Sequence, residues 1–315
     1  MIIKLPDTPD FSFDEEAGEI RLALPPVFSF SECLQHLTRS STECMHRVEE
    51  GDILKLMSID DQPFLLRISD SGDYLRIACL NRRIEDTTIW LELARGLREW
   101  LDLERDMTPF YSLMKDDPML GKLTEQYAGL RIVGIPDLFE ALCWAIMGQQ
   151  INLAFAYTLK QRFVSAYGSC LTWNGHAHWL FPKPRDIAAL SPHELTKLQL
   201  TARKAEYIVH VASLMDEGSL SKEGLLAATG NDFQAIQKLL LNIRGIGPWT
   251  AHYVLMRCFR DPSAFPIGDA GLHNALKRLL GRSEKPGLKE IADIFSRWRN
   301  WEAYAVFYLW RSLIP

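Results

Sequence analysis

The sequence predicts an α+β amino-terminal domain, an antiparallel sheet with two helices over residues 1–118. An all-α region built around a helix–hairpin–helix is expected over residues 119–315. Three observations carry this reading. Up to about Leu80, apolar residues alternate in short runs separated by turns rich in Asp, Gly and Ser, the pattern of paired strands. From about Pro109 the apolar spacing changes to three and four residues, that of amphipathic helices. Within this second part, Arg244-Gly245-Ile246-Gly247-Pro248 separates two such helices. Glycine admits positive φ and close backbone approach, and proline suits a first helical turn.

Taken in order, residues 18–24, 53–59, 64–69 and 74–80 alternate as strands, joined as a meander by turns such as Glu49-Glu50-Gly51-Asp52, Asp60-Asp61 and Asp70-Ser71-Gly72-Asp73. A helix over residues 29–37 interrupts them. A second, over residues 87–103, collects Ile89, Trp90, Leu93, Leu97, Trp100 and Leu101 on one side. Strands covered on one face by two helices form an α+β sandwich. Pro136-Asp137 then opens a helix to Met147, and residues 152–167 form the next. Ser191-Pro192-His193-Glu194 is a capping box with proline at the first helical position. Further helices are expected over residues 201–216, 232–241, 249–259, 270–280, 288–298 and 302–313. Residues 173–179 read as a loop. Its His176 and His178 have no third ligand type close by in sequence, so the loop reads as structural and not as a metal site.

A chain of 315 residues exceeds one small core and suggests two or three subdomains. A hydrophobic fraction of 47% with 24% charged residues is that of an ordinary soluble globular protein. The six cysteines are scattered without a C-x-x-C pair, which points to reduced thiols in place of a disulfide frame or metal site. The amino terminus lacks a signal-peptide core, and no apolar run is long enough to span a membrane. The expected location is therefore intracellular: cytoplasmic and nucleoid-associated in a bacterium, nuclear in a eukaryote. The net charge of −5 argues against a polyanionic partner until it is partitioned. Residues 1–120 hold 24 acidic and 13 basic residues, a balance of −11; residues 121–315 hold 16 and 22, a balance of +6. The region with the hairpin is basic, as a phosphate-facing surface requires.

The hairpin, Gly245, Ile246, Gly247, Trp249 and Thr250, places unpaired helix-start N–H groups where a phosphate could sit. Downstream, Arg260-Asp261-Pro262-Ser263-Ala264-Phe265-Pro266-Ile267-Gly268-Asp269 delivers one carboxylate to the start of the next helix. An aspartate there is ordinarily an N-cap. Asp269 is nevertheless also the candidate catalytic group, because the hairpin lies one helix upstream and Pro266 and Gly268 shape the turn. The two roles are compatible, since a helix N-terminus favours the anion. Asp261 is the one rival in the loop.

This arrangement resembles the helix–hairpin–helix Gly/Pro/Asp superfamily of DNA glycosylases, and looks closest to its DNA-3-methyladenine glycosylase II (AlkA-type) branch. Asp137-Leu138-Phe139-Glu140-Ala141-Leu142 through Ile146-Met147-Gly148-Gln149-Gln150-Ile151 is similar to the family helix that ends in a wedge. Lys204-Ala205-Glu206-Tyr207-Ile208, Trp301-Glu302-Ala303-Tyr304-Ala305 and Trp310-Arg311 match further segments. The likeness runs from about Gly121 to the end and is weaker before that.

The resemblance implies an all-α glycosylase fold after the sheet domain, and a base-excision enzyme acting on duplex DNA containing damaged bases. Asp269 would stabilise the positive charge that develops on the deoxyribose as the N-glycosidic bond breaks. Bifunctional relatives carry a lysine where this sequence has Trp249, which cannot attack as an amine. Hydrolysis by water, without strand nicking, is expected. Trp249, Tyr253, Trp310, Tyr304 and Gln149 are implied as base pocket, the aromatics attracting cationic alkylpurines of the 3-methyladenine and 7-methylguanine type. Trp and Tyr at helical spacing can equally pack a core. Ala270 and Gly271, where relatives carry bulkier residues, suggest a roomier pocket. Gln150 is implied as the wedge that fills the gap left by a flipped base, although Gly-Gln-Gln also suits a helix end. A sodium or potassium ion on the carbonyls of Leu241, Ile243 and Ile246 is implied at the hairpin, with no catalytic metal and no other cofactor. The four-cysteine cluster of some relatives is excluded, since no cysteine follows Cys258. A monomer with no obligate protein partner and no membrane attachment is expected. The alternatives are a glycosylase for another lesion, such as hypoxanthine, ethenoadenine or an oxidised purine, and a non-catalytic DNA-binding protein.

Overall fold

The computed structural model describes residues 2–4, 11–14 and 16–314. Seven antiparallel strands form one sheet: β1 (Ile2–Lys4), β2 (Phe11–Asp14), β3 (Glu19–Ala23), β4 (Arg47–Glu49), β5 (Asp52–Ile59), β6 (Gln62–Asp70) and β7 (Tyr74–Cys79), in the order β1-β2-β3-β7-β6-β5-β4. The four expected strands are present. The single meander is not, because β3 pairs with β7, aligning Ile20 with Ile77, and so joins two meanders. Ile20, Leu22, Leu66, Ile68, Leu75 and Ile77 are fully buried. Two helices accompany the sheet. α1 (Phe30–Leu37) is capped by the Ser29 hydroxyl, and α2 (Thr87–Trp100) is capped by Asp86 and buries Trp90, Leu93 and Leu97. β1, β2 and β4 were not expected; they are three or four residues long, too short for alternation to register.

The helical region begins with α3 (Thr108–Met114) and α4 (Gly121–Gln126). Its centre is α5 (Leu138–Gly148), capped by Asp137 and buried on almost every side, as an all-apolar helix must be. α6 (Leu153–Tyr167) follows, capped by Asn152. Then come α7 (Pro184–Ala188), α8 (Pro192–Thr196) with the expected capping box, α9 (Ala202–Asp216) and α10 (Lys222–Thr229). The hairpin pair is α11 (Phe233–Leu241) and α12 (Pro248–Arg257); α13 (Ala270–Leu279), α14 (Leu288–Phe295) and α15 (Glu302–Arg311) complete the region. The helix expected to reach Trp298 tightens to a 3₁₀ turn over Ser296–Trp298.

The expected loop at residues 173–179 is corrected. β8 (Ser169–Trp173) and β9 (His176–Leu180) form a hairpin whose turn, Asn174 (φ 47°) and Gly175 (φ 77°), takes positive φ at both central residues. That is the two-residue turn whose twist matches paired strands. His178 is buried there, and no cluster of three or more His, Cys, Asp or Glu side chains suited to a metal occurs among the described residues.

Sheet domain and helices share one apolar core. Buried Arg131 ties them together, donating to the carbonyls of Val27 and Arg105, both at 2.7 Å. The following backbone continues the seam: Gly134 N–H donates to Trp100 O and Ile135 N–H to Arg257 O, both at 2.7 Å. No described helix is long and apolar enough to cross a membrane.

Candidate active site

Asp269 is the N-cap of α13, as the sequence predicts. Its Oδ1 accepts the Leu272 N–H at 2.8 Å and its backbone N–H donates to Pro266 O at 2.9 Å. The carboxylate is nearly buried, at 9% exposure, and two indoles grip it. Trp310 Nε1 donates to Oδ1 at 2.8 Å, and Trp249 Nε1 donates to Oδ2 at 3.1 Å. An ionised carboxylate is an acceptor only, with about four lone-pair sites. Oδ1 takes two donors and Oδ2 takes one, so Oδ2 retains a free acceptor direction. Asp261, the rival carboxylate, is occupied elsewhere, accepting from Ser263 N–H at 2.8 Å and Ser263 Oγ at 2.7 Å.

The aromatics around this carboxylate form a wall. Tyr253 stands 5.4 Å from Trp249 and 6.2 Å from Trp310, ring centre to ring centre. Its phenolic oxygen accepts from Trp144 Nε1 at 2.7 Å and Arg257 Nη1 at 2.8 Å, which fixes the ring. Trp249 and Trp310 remain half-buried. Tyr304 does not belong to the wall. It is fully buried, packs 5.5 Å from Phe110, and its hydroxyl donates to Asp102. Its assignment to the base pocket is therefore corrected to core. Gly271 is also corrected: a Cβ there would lie 3.0 Å from both Asp269 Oδ1 and Trp310 Nε1. The missing side chain admits the Trp310 indole, so it does not enlarge the pocket.

The hairpin follows from its two glycines. Gly245 has φ +96°, and a Cβ there would lie 2.3 Å from Tyr207 Cγ, so both backbone and packing require glycine. Gly247 is the N-cap of α12, with open space where a side chain would stand. Pro248 follows, and the first-turn N–H groups of Trp249 and Thr250 lack intrahelical acceptors. Ile246 departs from expectation. Its N–H donates to Ile243 O at 3.0 Å and its side chain is buried, so it anchors the hairpin and its amide is not offered to a phosphate.

Gln149 is corrected as well. Its Nε2 donates to Gly245 O and to the hydroxyl of buried Thr250, both at 3.0 Å, tying the end of α5 to the hairpin instead of presenting this amide to a base. Gln150 is exposed with φ +56°, a left-handed conformation that costs a non-glycine residue about 1–2 kcal/mol. Buried Lys204 closes the same helix end, donating from Nζ to Met147 O at 2.8 Å; burial holds its ammonium below the usual range.

His252 was not anticipated. Its Nδ1 accepts the Phe265 N–H at 3.0 Å, so the neutral ring carries its proton on Nε2, and the Gln237 amide, 2.9 Å away, pairs with it once turned to present its oxygen. One ring thereby joins α11, α12 and the loop that leads to Asp269. Burial depresses its pKa, which keeps Nδ1 an acceptor. Nothing in the local sequence marks it, nor His273, which holds the same loop from α13 by meeting Ile267 O at 2.7 Å.

Comparison with known proteins gives consistent matches. The model of the HhH-GPD superfamily base excision DNA repair protein matches residues 143–300, and that of the 8-oxoguanine DNA glycosylase N-terminal domain matches residues 19–142. The chain is 44% identical over 296 residues to a DNA-3-methyladenine glycosylase of Bacillus subtilis (strain 168), covering 93% of this chain and 97% of that one. It is 31% identical over 193 residues to DNA-3-methyladenine glycosylase 2 of Escherichia coli (strain K12), covering 61% and 63%. The fold matches that of a 3-methyladenine DNA glycosylase from Archaeoglobus fulgidus, with a TM-score of 0.76, 23% identity, and coverage of 92% of this chain and 96% of that chain. A Clostridium acetobutylicum 8-oxoguanine glycosylase/lyase in complex with double-stranded DNA gives 0.71 at 19% identity, covering 99% and 97%.

Proposed function

We propose, for a chain that belongs to the HhH-GPD superfamily of base excision DNA repair proteins and is a DNA glycosylase, that it hydrolyses alkylated purines of the 3-methyladenine and 7-methylguanine type from duplex DNA. The observation that carries this is the Asp269 carboxylate clamped by two indole N–H groups beside an aromatic wall. Cationic alkylpurines are attracted to the faces of Trp249, Tyr253 and Trp310, worth about 2 kcal/mol or more per desolvated contact.

As the N-glycosidic bond breaks, electron density leaves C1′ with the base and the sugar acquires oxocarbenium character. A fixed, nearly dry anion at that point is preorganised stabilisation. Oδ2, with its free lone pair, faces this charge and receives the proton of the attacking water. Trp249 supplies no amine, so water is the nucleophile and the product is an intact abasic site. Gln150, already displayed at the end of α5, fills the stack when the base leaves. The N–H groups near Gly245, Gly247 and Trp249 hold a phosphate. The carbonyls of Leu241, Ile243 and Ile246 suit sodium or potassium as hard oxygen donors; Ile243 O already accepts one N–H and keeps its second lone pair. Such an ion would brace the hairpin, and the hydrolysis needs no other cofactor. The enzyme acts as a monomer where chromosomal DNA is, in the cytoplasm of a bacterium or the nucleus of a eukaryote.

The deciding experiment incubates the protein with methylated duplex DNA and, in parallel, with oxidised duplex DNA, and identifies released bases by mass. Release of 3-methyladenine and 7-methylguanine is expected. Asp269→Asn should release almost none while binding DNA as well or more tightly, because a charge that repels phosphate is gone. Near-normal release by that variant overturns the catalytic assignment. Release of 8-oxoguanine alone would favour the oxidised-purine reading that the amino-terminal family match suggests. Borohydride should trap no covalent DNA complex.

A further inference from the structure

Arg257 and Trp144, which fix the Tyr253 phenol, also line a cavity of about 50 Å³ at the seam between the sheet domain and the helices. Its charges do not balance. Lys160 is paired with two carboxylates, Glu43 at 3.3 Å and Glu140 at 3.0 Å. Three further cations line the same space without a close ion pair of their own, sharing Glu43 and Glu140 only at longer range. Arg39 donates to the Tyr157 hydroxyl at 2.5 Å and to His36 Nδ1 at 3.0 Å. Arg257 donates to Val133 O and the Tyr253 hydroxyl, both at 2.8 Å, and Lys55 rests 4.7 Å above the Trp100 ring. Burial holds His36 and His46 below their usual range and so keeps both neutral. Four cations therefore face two carboxylates.

A second, independent feature points the same way. His36 also lines the cavity and is 6% exposed. Since its Nδ1 accepts from Arg39, its proton sits on Nε2, and that buried N–H has no partner. An unpaired donor and uncompensated positive charge around one small space are both costly unless something anionic satisfies them. A space of this size admits a few waters or one small anion.

We infer that the seam cavity binds a small monovalent anion, of chloride or formate size, held by Arg39, Lys55, Arg257 and the His36 Nε2–H. The bound anion halves the cation excess where the two parts of the chain meet. Through Arg257 it stiffens the Tyr253 side of the base pocket. Melting of the full chain at constant ionic strength tests this, with chloride or formate replacing gluconate, which is too bulky for the cavity. The midpoint should rise along a saturating curve, by about 1–2 °C once the anion is several-fold above its dissociation constant. Arg39→Met and Lys55→Met should each flatten the curve. No rise, a rise without saturation, or an undiminished rise in folded variants shows a general salt effect and overturns the site. If neither variant folds, chlorine NMR of the wild-type protein decides. Line broadening abolished by formate supports the site, and broadening that formate leaves unchanged, or none, refutes it.

Discussion

At the scale of single residues, the catalytic carboxylate is oriented by side chains distant in sequence. Trp249 and Trp310 lie 20 and 41 positions from Asp269 and meet it edge-on through their indole N–H groups. Removing a hydrogen bond to a charged group costs about 1.5–3 kcal/mol. Trp310→Phe, which keeps an aromatic face, should therefore slow single-turnover excision roughly 10–100-fold. The loss should fall on a neutral lesion such as hypoxanthine as well as on cationic 7-methylguanine. A loss confined to the cationic lesion would show that the ring face alone matters. Gly271→Ala should give a milder loss of the same kind, because its Cβ would press on the indole edge and on Asp269 Oδ1 at 3.0 Å. Asp269 was legible because a hairpin, a Pro-Gly turn and an N-cap position converge on one carboxylate. The indole clamp was not, since nothing local to Trp310 reports which edge of the ring points at residue 269. Tyr304 was misplaced for the related reason that helical spacing names a face without saying what covers it.

At the scale of elements, the hairpin glycines have separable duties, and substitution should separate them. Gly245→Ala meets both a positive φ and the Tyr207 ring, so it should lower stability by about 1–3 kcal/mol and weaken DNA binding. Gly247→Ala meets neither and should melt near wild type. Its new methyl would stand in open space at the N-cap of α12, so DNA affinity should fall alone. Equal melting losses in the two variants would contradict this division. Most long elements were readable because caps announced them: Ser29, Asp137, Asn152, Thr201, Asp232 and Asp269 each accept a first-turn N–H. The β8–β9 hairpin was missed although Asn174-Gly175 is a strong turn signal, because flanking helices suggested a purely helical region. α7 and α10, of five and eight residues, were too short for periodicity to separate from noise.

For the molecule as a whole, acid should act first at buried histidines. His36, His46 and His252 have depressed pKa values in the folded state, His46 at about 4. The unfolded chain, with ordinary imidazoles, then binds more protons than the native one. The stability these groups contribute is fully present above about pH 6.5 and is lost as pH falls toward the folded values. Asp137, raised to about 6 by burial, and Glu302, also raised by burial, act in the opposite sense over part of that window, but with His178, likewise lowered, they are two groups against four. The melting temperature should fall between pH 7 and about 5. His46→Gln should reduce the slope, since an amide can still donate to Leu37 O as the ring does at 3.1 Å. An unchanged slope would assign the acid sensitivity elsewhere. The partition of charge, −11 over residues 1–120 against +6 over residues 121–315, acts at longer range. A body with opposite charge at its two ends is a dipole in the field of a polyanion, and that field turns it before contact. The sheet end is swung outward and the hairpin end inward, so encounters with the duplex arrive already facing the right way. While the protein drifts along undamaged DNA, the same torque keeps the acidic end off the phosphates, and the search is spent on inspection instead of reorientation.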